Sequence, residues 1–311
     1  MRKRIALVFA APVVLFLAAC DFEDLGGSSE RYPADFHYSY PLKPGGRVTV
    51  ENFNGSIELA SWDQDNVDIS GVKYAGTPEL RDAIKIDVVQ SGDSVHIRTV
   101  RPSERRGNMG AKYVIKVPRK TELERITSSN GSIRVNDVEG AARLRSSNGS
   151  IHATGLKGSL DVQTSNGGIE VQDLDGPAVL KTSNGRVHAE GVRGTLEAET
   201  SNGGINVHVA KAEAGRPVKL ETSNGSIELT VDNANQNDVH ASTSNAGITV
   251  HMPGSIAARV RAHTSNGSIS SEFEVRAQGQ ITKHSLEGTI GSGGPVLDLS
   301  TSNGSIRLEK L

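Results

Sequence analysis

The triplet Ser-Asn-Gly recurs down the chain at a fixed step, and that recurrence restricts the fold more than any other feature. It stands at Ser129-Asn130-Gly131, Ser147-Asn148-Gly149, Ser165-Asn166-Gly167, Ser183-Asn184-Gly185 and Ser201-Asn202-Gly203, each 18 residues after the last. It returns at Asn224-Gly225, at Asn245 as Asn-Ala-Gly, at Asn266-Gly267 and at Asn303-Gly304, with steps of 22, 21, 21 and 37. An early copy stands alone at Asn54-Gly55-Ser56-Ile57, and the last long gap suggests a degenerate copy at Glu287-Gly288-Thr289-Ile290. A period near 20 residues marks a chain built of stacked units.

Each unit reads as two short strands. Apolar residues alternate with polar ones at Ile133/Val135, Ile151/Ala153, Ile169/Val171, Val187/Ala189 and Ile205/Val207. Another apolar residue follows at Val138, Leu156, Leu174 and Val192, then a glycine at Gly140, Gly158, Gly176 and Gly194. A second strand carries Leu144, Leu160/Val162, Leu180 and Leu196/Ala198. The period of two is that of a strand. Glycine roughly every nine residues would break a helix. Two such strands cannot bury a face alone, but coils stacked ~4.8 Å apart with like residues over like can. The expected fold is all-β: a single-stranded parallel β-solenoid of 18–22-residue coils. About ten coils from Asn130 to Asn303 give roughly 43 Å of rod.

The aromatic residues divide the chain. Phe9 and Phe16 lie near the start, nine more lie between Phe22 and Tyr113, and only Phe273 follows. Aliphatic side chains suit a narrow core in which large rings would force coils apart. The sequence therefore predicts a β-rich N-terminal cap over 36–126 with a bulkier core, and the repeat solenoid over 127–311. The last coil, Ser305-Ile306-Arg307-Leu308-Glu309-Lys310-Leu311, is expected to leave its edge uncovered.

The first residues read as a targeting segment. Arg2, Lys3 and Arg4 precede an uncharged run from Ile5 to Ala19, too short for a membrane span. The run ends in Leu17-Ala18-Ala19-Cys20, which resembles the bacterial lipobox. That resemblance implies removal of residues 1–19 and acylation of Cys20. Asp21 next to the anchor resembles the signal that retains lipoproteins at the inner membrane of enteric bacteria; outer membrane or cell surface stays open. Residues 20–35, polar and with Gly26, Gly27, Ser28 and Ser29 at their centre, read as a tether with a reach of about 20 Å.

Composition removes several classes. One cysteine cannot form an internal disulfide or a cysteine-based zinc site. A formal charge of −2, more negative once the basic leader is lost, gives no reason to expect nucleic acid.

Pro44-Gly45-Gly46-Arg47-Val48-Thr49-Val50-Glu51-Asn52-Phe53-Asn54-Gly55-Ser56-Ile57, then Val117-Pro118, then the Thr-Ser-Asn-Gly-x-Ile coils carry a resemblance. Over residues 36–311 the chain resembles a bacterial envelope family of β-strand-repeat proteins of unknown function, named putative adhesin. It is similar as well to the head domains named putative auto-transporter adhesins. The resemblance implies a single-stranded β-solenoid without enzymatic activity.

The repeated corner, Asn130, Gly131, Asn148, Gly149, Asn166, Gly167, Asn184, Gly185, Asn202, Gly203, Asn224, Gly225, Asn266, Gly267, Asn303 and Gly304, reads as structural. Each Asn is expected in left-handed geometry with its amide paired to the Asn above and below, and each Gly is expected to supply positive φ. The competing reading is a polar stripe for a repetitive ligand such as a glycan or ice. Toxin-type calcium repeats need an Asp where this chain has Ile133, Ile151 and Ile169, so no calcium site is expected. The column Arg134, His152, Glu170, His188, Asn206, Glu228 sets its histidines two coils apart, roughly 10 Å, too far for zinc to bridge. No Gly-x-Ser-x-Gly elbow is present, and Asp137, Gly155, Asp173 and Gly191 alternate as turn residues. The sequence therefore points to a non-enzymatic, lipid-anchored binding or scaffolding module without a cofactor. Its expected partners are the membrane, through acyl chains, and a glycan or envelope protein. A carbohydrate-active enzyme on a β-helix and a purely structural assembly protein are the alternatives.

Overall fold

The computed structural model describes residues 32–103, 107–211, 216–232, 237–277 and 282–311. The leader 1–19, Cys20 and the tether up to residue 31 lie outside them. The described residues form two long sheets, one of 13 and one of 14 strands, with a single six-residue helix at Pro78–Ala83.

A repeat coil alternates between the sheets. Leu160–Gln163 lies in the larger sheet, the Thr-Ser-Asn-Gly corner turns the chain, and Ile169–Gln172 lies in the other. A second corner through Leu174 returns the chain to Ala178–Lys181. Inward residues alternate with outward ones along every repeat strand, as the sequence period requires. Like stacks on like: Ile133, Ile151, Ile169, Val187, Ile205, Ile227, Ile248 and Ile306 form one continuous parallel register. Between the sheets Leu144, Val162, Leu180, Ala198 and Leu220 form the opposing wall, all buried. Val138, Leu156, Leu174 and Val192 fill the second corner. The fold is thus all-β, parallel and solenoid-like.

The N-terminal end departs from the expected division. Here β1 spans Tyr32–Pro41, β2 Gly46–Asn52, β3 Ile57–Trp62, β4 Asn66–Ala75, β5 Lys85–Ser91, β6 Ser94–Val100, β7 Gly110–Pro118 and β8 Thr121–Ser128. Residues 32–35, expected in the tether, belong to β1. The expected boundary between 126 and 127 falls inside β8, which stacks in parallel on both β2 and Ala142–Ser146. The coil made by β2 and β3 is itself a solenoid coil: β3 pairs in parallel with β7 on one side and Ile133–Asn136 on the other. The parallel stack therefore begins well before residue 127. Antiparallel strands close this end, with β4 and β1 beyond β7 and β5 beyond β6. The rings gather here. Tyr113 is buried, meets Phe36 edge-on at 5.3 Å and shares a hydrogen bond with Thr99.

The C-terminal end overturns two expectations. The strand Ile306–Lys310 is not an edge, because it pairs in parallel with both Ile248–Met252 and Ile269–Ser271. Its companion Val296–Thr301 lies between Val239–Thr243 and Ala258–Thr264. The last coil in sequence is thus the penultimate coil in space. Glu287-Gly288-Thr289-Ile290 is no degenerate corner; it belongs to Ser285–Ile290, which runs antiparallel to both Ala258–Thr264 and Val275–Ala277. Phe273 is buried at this end, with the Lys310 ammonium 5.6 Å from its ring centroid.

Candidate functional site

The Thr-Ser-Asn-Gly corner divides its work by position. The first residue is buried and holds the neighbouring coil: the hydroxyls of Thr164, Thr182, Thr200 and Thr222 donate to the carbonyls of Gly149, Gly167, Gly185 and Gly203, each at 2.9 Å. Ser129, Ser147, Ser165, Ser183, Ser201 and Ser223 are all exposed. The asparagines form a directional chain of amides. Asn148 donates to Asn130 at 2.6 Å; Asn166 to Asn148, Asn184 to Asn166 and Asn202 to Asn184 each at 2.7 Å. The chain continues through Asn224 and Asn245, passes to Asn303 at 2.8 Å and ends at Asn266, which donates to Asn303 at 2.9 Å. Asn303 therefore precedes Asn266 in space.

Backbone geometry at the corner differs from the expectation. None of the nine ladder asparagines has positive φ, and neither do Gly131, Gly149, Gly167, Gly185, Gly203, Gly225, Gly267 and Gly304. These glycines are needed for closeness instead. A Cβ on Gly149, Gly167, Gly185 or Gly203 would lie 1.8–2.0 Å from the carbonyl oxygen of the glycine one coil away. Left-handed geometry belongs to the other corner. Asp137, Gly155, Asp173 and Gly191 have φ of 57°, 67°, 52° and 69°. Their alternation also has a packing cause, since a Cβ on Gly155 would lie 2.4 Å from Asp137 Oδ1. Beside this corner Lys120, Glu139, Lys157, Asp175 and Arg193 bridge in order, so charge alternates along the stack. Lys157 lies 2.9 Å from Glu139, and this bond lowers the carboxyl's pKa.

The asparagine ridge separates two polar grooves. On the larger sheet's side a groove of about 580 Å³ runs past Lys181, Glu199 and Glu221 and the serines Ser183, Ser201, Ser223 and Ser244. Its charges are tied together: Lys181 contacts Glu197 and Glu199 at 3.0 Å each, and Lys219 contacts Glu221 at 3.1 Å. Hydrogen bonds that Lys181 donates to Glu199 and Glu197 raise the Lys181 pKa, and the Lys181 bond lowers that of Glu199. On the other side a groove of about 800 Å³ contains His152, Glu170, Arg186, His188, Asn206 and Glu228.

The outward residues Arg134, His152, Glu170, His188, Asn206 and Glu228 stand in register, each over the next. Within it His152 Nε2 lies 3.3 Å from Glu170, and Asn206 donates to Glu228 at 2.9 Å. In the next column His208 sits between Glu190, 2.6 Å from its Nδ1, and Asp232, 2.9 Å from its Nε2. The Asp232 contact is close but is not an aligned hydrogen bond. The Glu190 bond raises the His208 pKa against the opposing effect of partial burial, and Asp232 adds to the rise. Among the described residues no group of three His, Cys, Asp or Glu is placed to hold a metal ion.

The sequence singled out the ladder but missed the grooves beside it. The signal was present in the column following each Asn-Gly. It reads Ser132, Ser150, Gly168, Arg186, Gly204, Ser226, Gly247, with one large charged residue among small ones. Cys20, the expected lipidation site, lies outside the described residues.

No curated protein matches this chain. Solved structures with a similar outline include a "putative lipid binding protein" from Parabacteroides distasonis at 12% identity, covering 90% of this chain and 98% of that one, with a TM-score of 0.40. A "putative adhesin" from the same species matches at 11% identity over 89% and 97%, with a TM-score of 0.37. One from Bacteroides fragilis matches at 13% identity over 88% and 97%, with a TM-score of 0.34. The family model described as Toastrack DUF4097 matches residues 56–255, from β3, just after the early Asn54-Gly55 corner, through the regular repeats. With well over half of its length matched, this chain belongs to the Toastrack DUF4097 family.

Proposed function

We propose that the protein is a non-enzymatic, lipid-anchored envelope module that binds an extended polar polymer along the Ser-Asn-Gly corner. The observation that carries this reading is the ridge of amides, repeated once per coil and flanked by two polar grooves, one of them lined by a serine from each of several successive coils. A ligand with its own repeat can meet equivalent hydroxyl and amide groups at ~4.8 Å intervals. The carboxylates beside the ridge, Glu170, Glu190, Glu197, Glu199 and Glu221, are engaged in ion pairs between or along coils. They stiffen the surface rather than stand ready for acid–base work.

Anchoring is read from Cys20 alone, and β1 bears only on which end of the stack would face the membrane. β1 is the edge strand of its sheet at the N-terminal end of the stack, so a tether from Cys20 would reach that end. Antiparallel strands at both ends serve as caps against edge growth. The full chain is expected to incorporate a fatty-acid label in a bacterial host, and Cys20→Ala to lose it. In detergent it is expected to bind cell-wall or capsular glycans saturably and without turnover. Product release from any of these glycans would replace this reading with a carbohydrate-active enzyme.

A further inference from the structure

The groove on the smaller sheet contains an arrangement that the fold does not require. Arg186 stands between Gly168 and Gly204, one coil on either side: Ile169 N–H donates to the Arg186 carbonyl and Val187 N–H to the Gly204 carbonyl. Other coils place Ser132, Ser150, Ser226, Gly247, Ser268 and Ser305 in this column. Unlike the ladder glycines, Gly168 and Gly204 have no backbone reason to be glycine. Neither has positive φ, and a Cβ on either would meet its nearest neighbour at 3.4 Å, an ordinary contact. Their effect is to clear space on both sides of one guanidinium.

The charges of the groove are unequal in availability. Glu170 is held by His152 at 3.3 Å and by Gln172 at 2.8 Å. Glu228 is held by Asn206 at 2.9 Å and lies 3.5 Å from His251. Arg186 and His188, two residues apart on the same outward face, have no side-chain partner among the described residues. Both carboxylates are thus occupied while a planar fork of donors and an imidazole stand free. Around them are hydroxyls and amides of Ser150, Ser226, Asn202 and Asn224. The groove crosses five coils, about 19 Å.

We infer that this groove binds an anionic polysaccharide, with an oxyanion of its repeating unit on the Arg186 guanidinium in the space cleared by Gly168 and Gly204. Arginine matches a carboxylate or phosphate through paired N–H groups, while the flanking amides and hydroxyls suit sugar hydroxyls. The inference rests on the binding-module reading and names the ligand class of that site.

The test uses the full chain in detergent with three polymers: polygalacturonate, a glycerol-phosphate polymer and uncharged dextran. At least one anionic polymer is expected to bind about tenfold more tightly than dextran, and which one does so distinguishes carboxylate from phosphate. Arg186→Gln is expected to abolish that preference, Arg186→Lys to restore part of it, and Gly168→Ser to weaken binding at unchanged charge. Arg143→Gln, removing another unpaired arginine on the opposite sheet, is expected to change nothing. Equal affinity for dextran and the anionic polymers would overturn the inference and leave the module standing, as would an equal loss in Arg143→Gln and Arg186→Gln. Failure of all three polymers to bind would remove both readings.

Discussion

At the scale of single residues, the repeat uses glycine for two different reasons that look alike in a sequence. Gly185 is glycine because the carbonyl of Gly167 lies 1.9 Å from where its Cβ would stand; Gly168 is glycine without such a need. Gly185→Ala is therefore expected to cost about 1–3 kcal/mol, and Gly168→Ala less than about 0.5 kcal/mol, read as shifts of the urea midpoint. Ala246 occupies one rung of the same ladder, so a local backbone shift can relieve the clash, which keeps the expected cost moderate. Equal midpoints for the two variants would refute the close-approach account. Asn184 gives and receives one amide bond, at 2.7 Å to Asn166 and from Asn202. Asn184→Ala breaks both and is expected to cost roughly 1–2 kcal/mol. Asn184→Asp can still accept from Asn202 but cannot donate to Asn166, and should fall between Ala and wild type in the same melt. The corner residues themselves were legible in the sequence. Their dihedrals were not, because Asn-Gly is a common left-handed turn pair, and only the stacked neighbour shows that distance, rather than φ, excludes a side chain here.

Among elements, the strands and their buried faces could be read directly, since a period of two survives in every coil from Ile133 to Leu229. The outward columns also followed from the 18-residue step, but which charges would meet across coils depended on register. His208 illustrates this. It lies on Ile205–Lys211, with Glu190 on the preceding strand Val187–Arg193 and Asp232 just beyond the following strand Ile227–Val231. Register sets Thr230 opposite His208, and Asp232 lies two residues further along. The hydrogen bond that His208 makes to Glu190 raises the pKa of this histidine in the folded chain. A raised histidine adds stability that is complete below its unfolded value of ~6.5 and fades as pH climbs through the folded value. The melting temperature is thus expected to fall as pH rises above about 6.5, and His208→Asn to flatten that fall. An identical slope in both proteins would show that the ion pairs contribute nothing to folding. Below about pH 4.5 the trend reverses, because the lowered pKa of Glu199, set first by Lys181, favours folding only while the carboxylate stays charged.

For the whole molecule, the order of coils at the ends is what the sequence could not supply. Every corner is Thr-Ser-Asn-Gly or a near copy, so each coil is chemically able to stack on any other. Residue patterns state that stacking occurs and leave its order open. Non-local pairing decides it: Val296–Thr301 and Ile306–Lys310 lie between coils that precede them in the chain, and the antiparallel strand Ser285–Ile290 holds Ala258–Thr264 at the far end. This order predicts an unusual result of shortening the chain. A chain ending at residue 252 loses the terminal coil, the intercalated coil and the antiparallel strands together, and leaves Val239–Thr243 and Ile248–Met252 as clean edges. A chain ending at residue 295 is longer but loses the coil from the middle. Its segment 258–290 then has no parallel neighbour to hold it, and its apolar residues Val260, Leu286 and Ile290, buried in the complete chain, are left to find one. The longer chain is therefore expected to melt no higher than the shorter one and to expose more apolar surface, seen as greater dye binding and earlier aggregation on heating. A melting temperature close to that of the full chain would mean that the Asn266 coil slides down one rung and takes the place of the Asn303 coil. In that case like-on-like stacking would be sufficient, and the intercalated order would be one of two that this sequence can adopt.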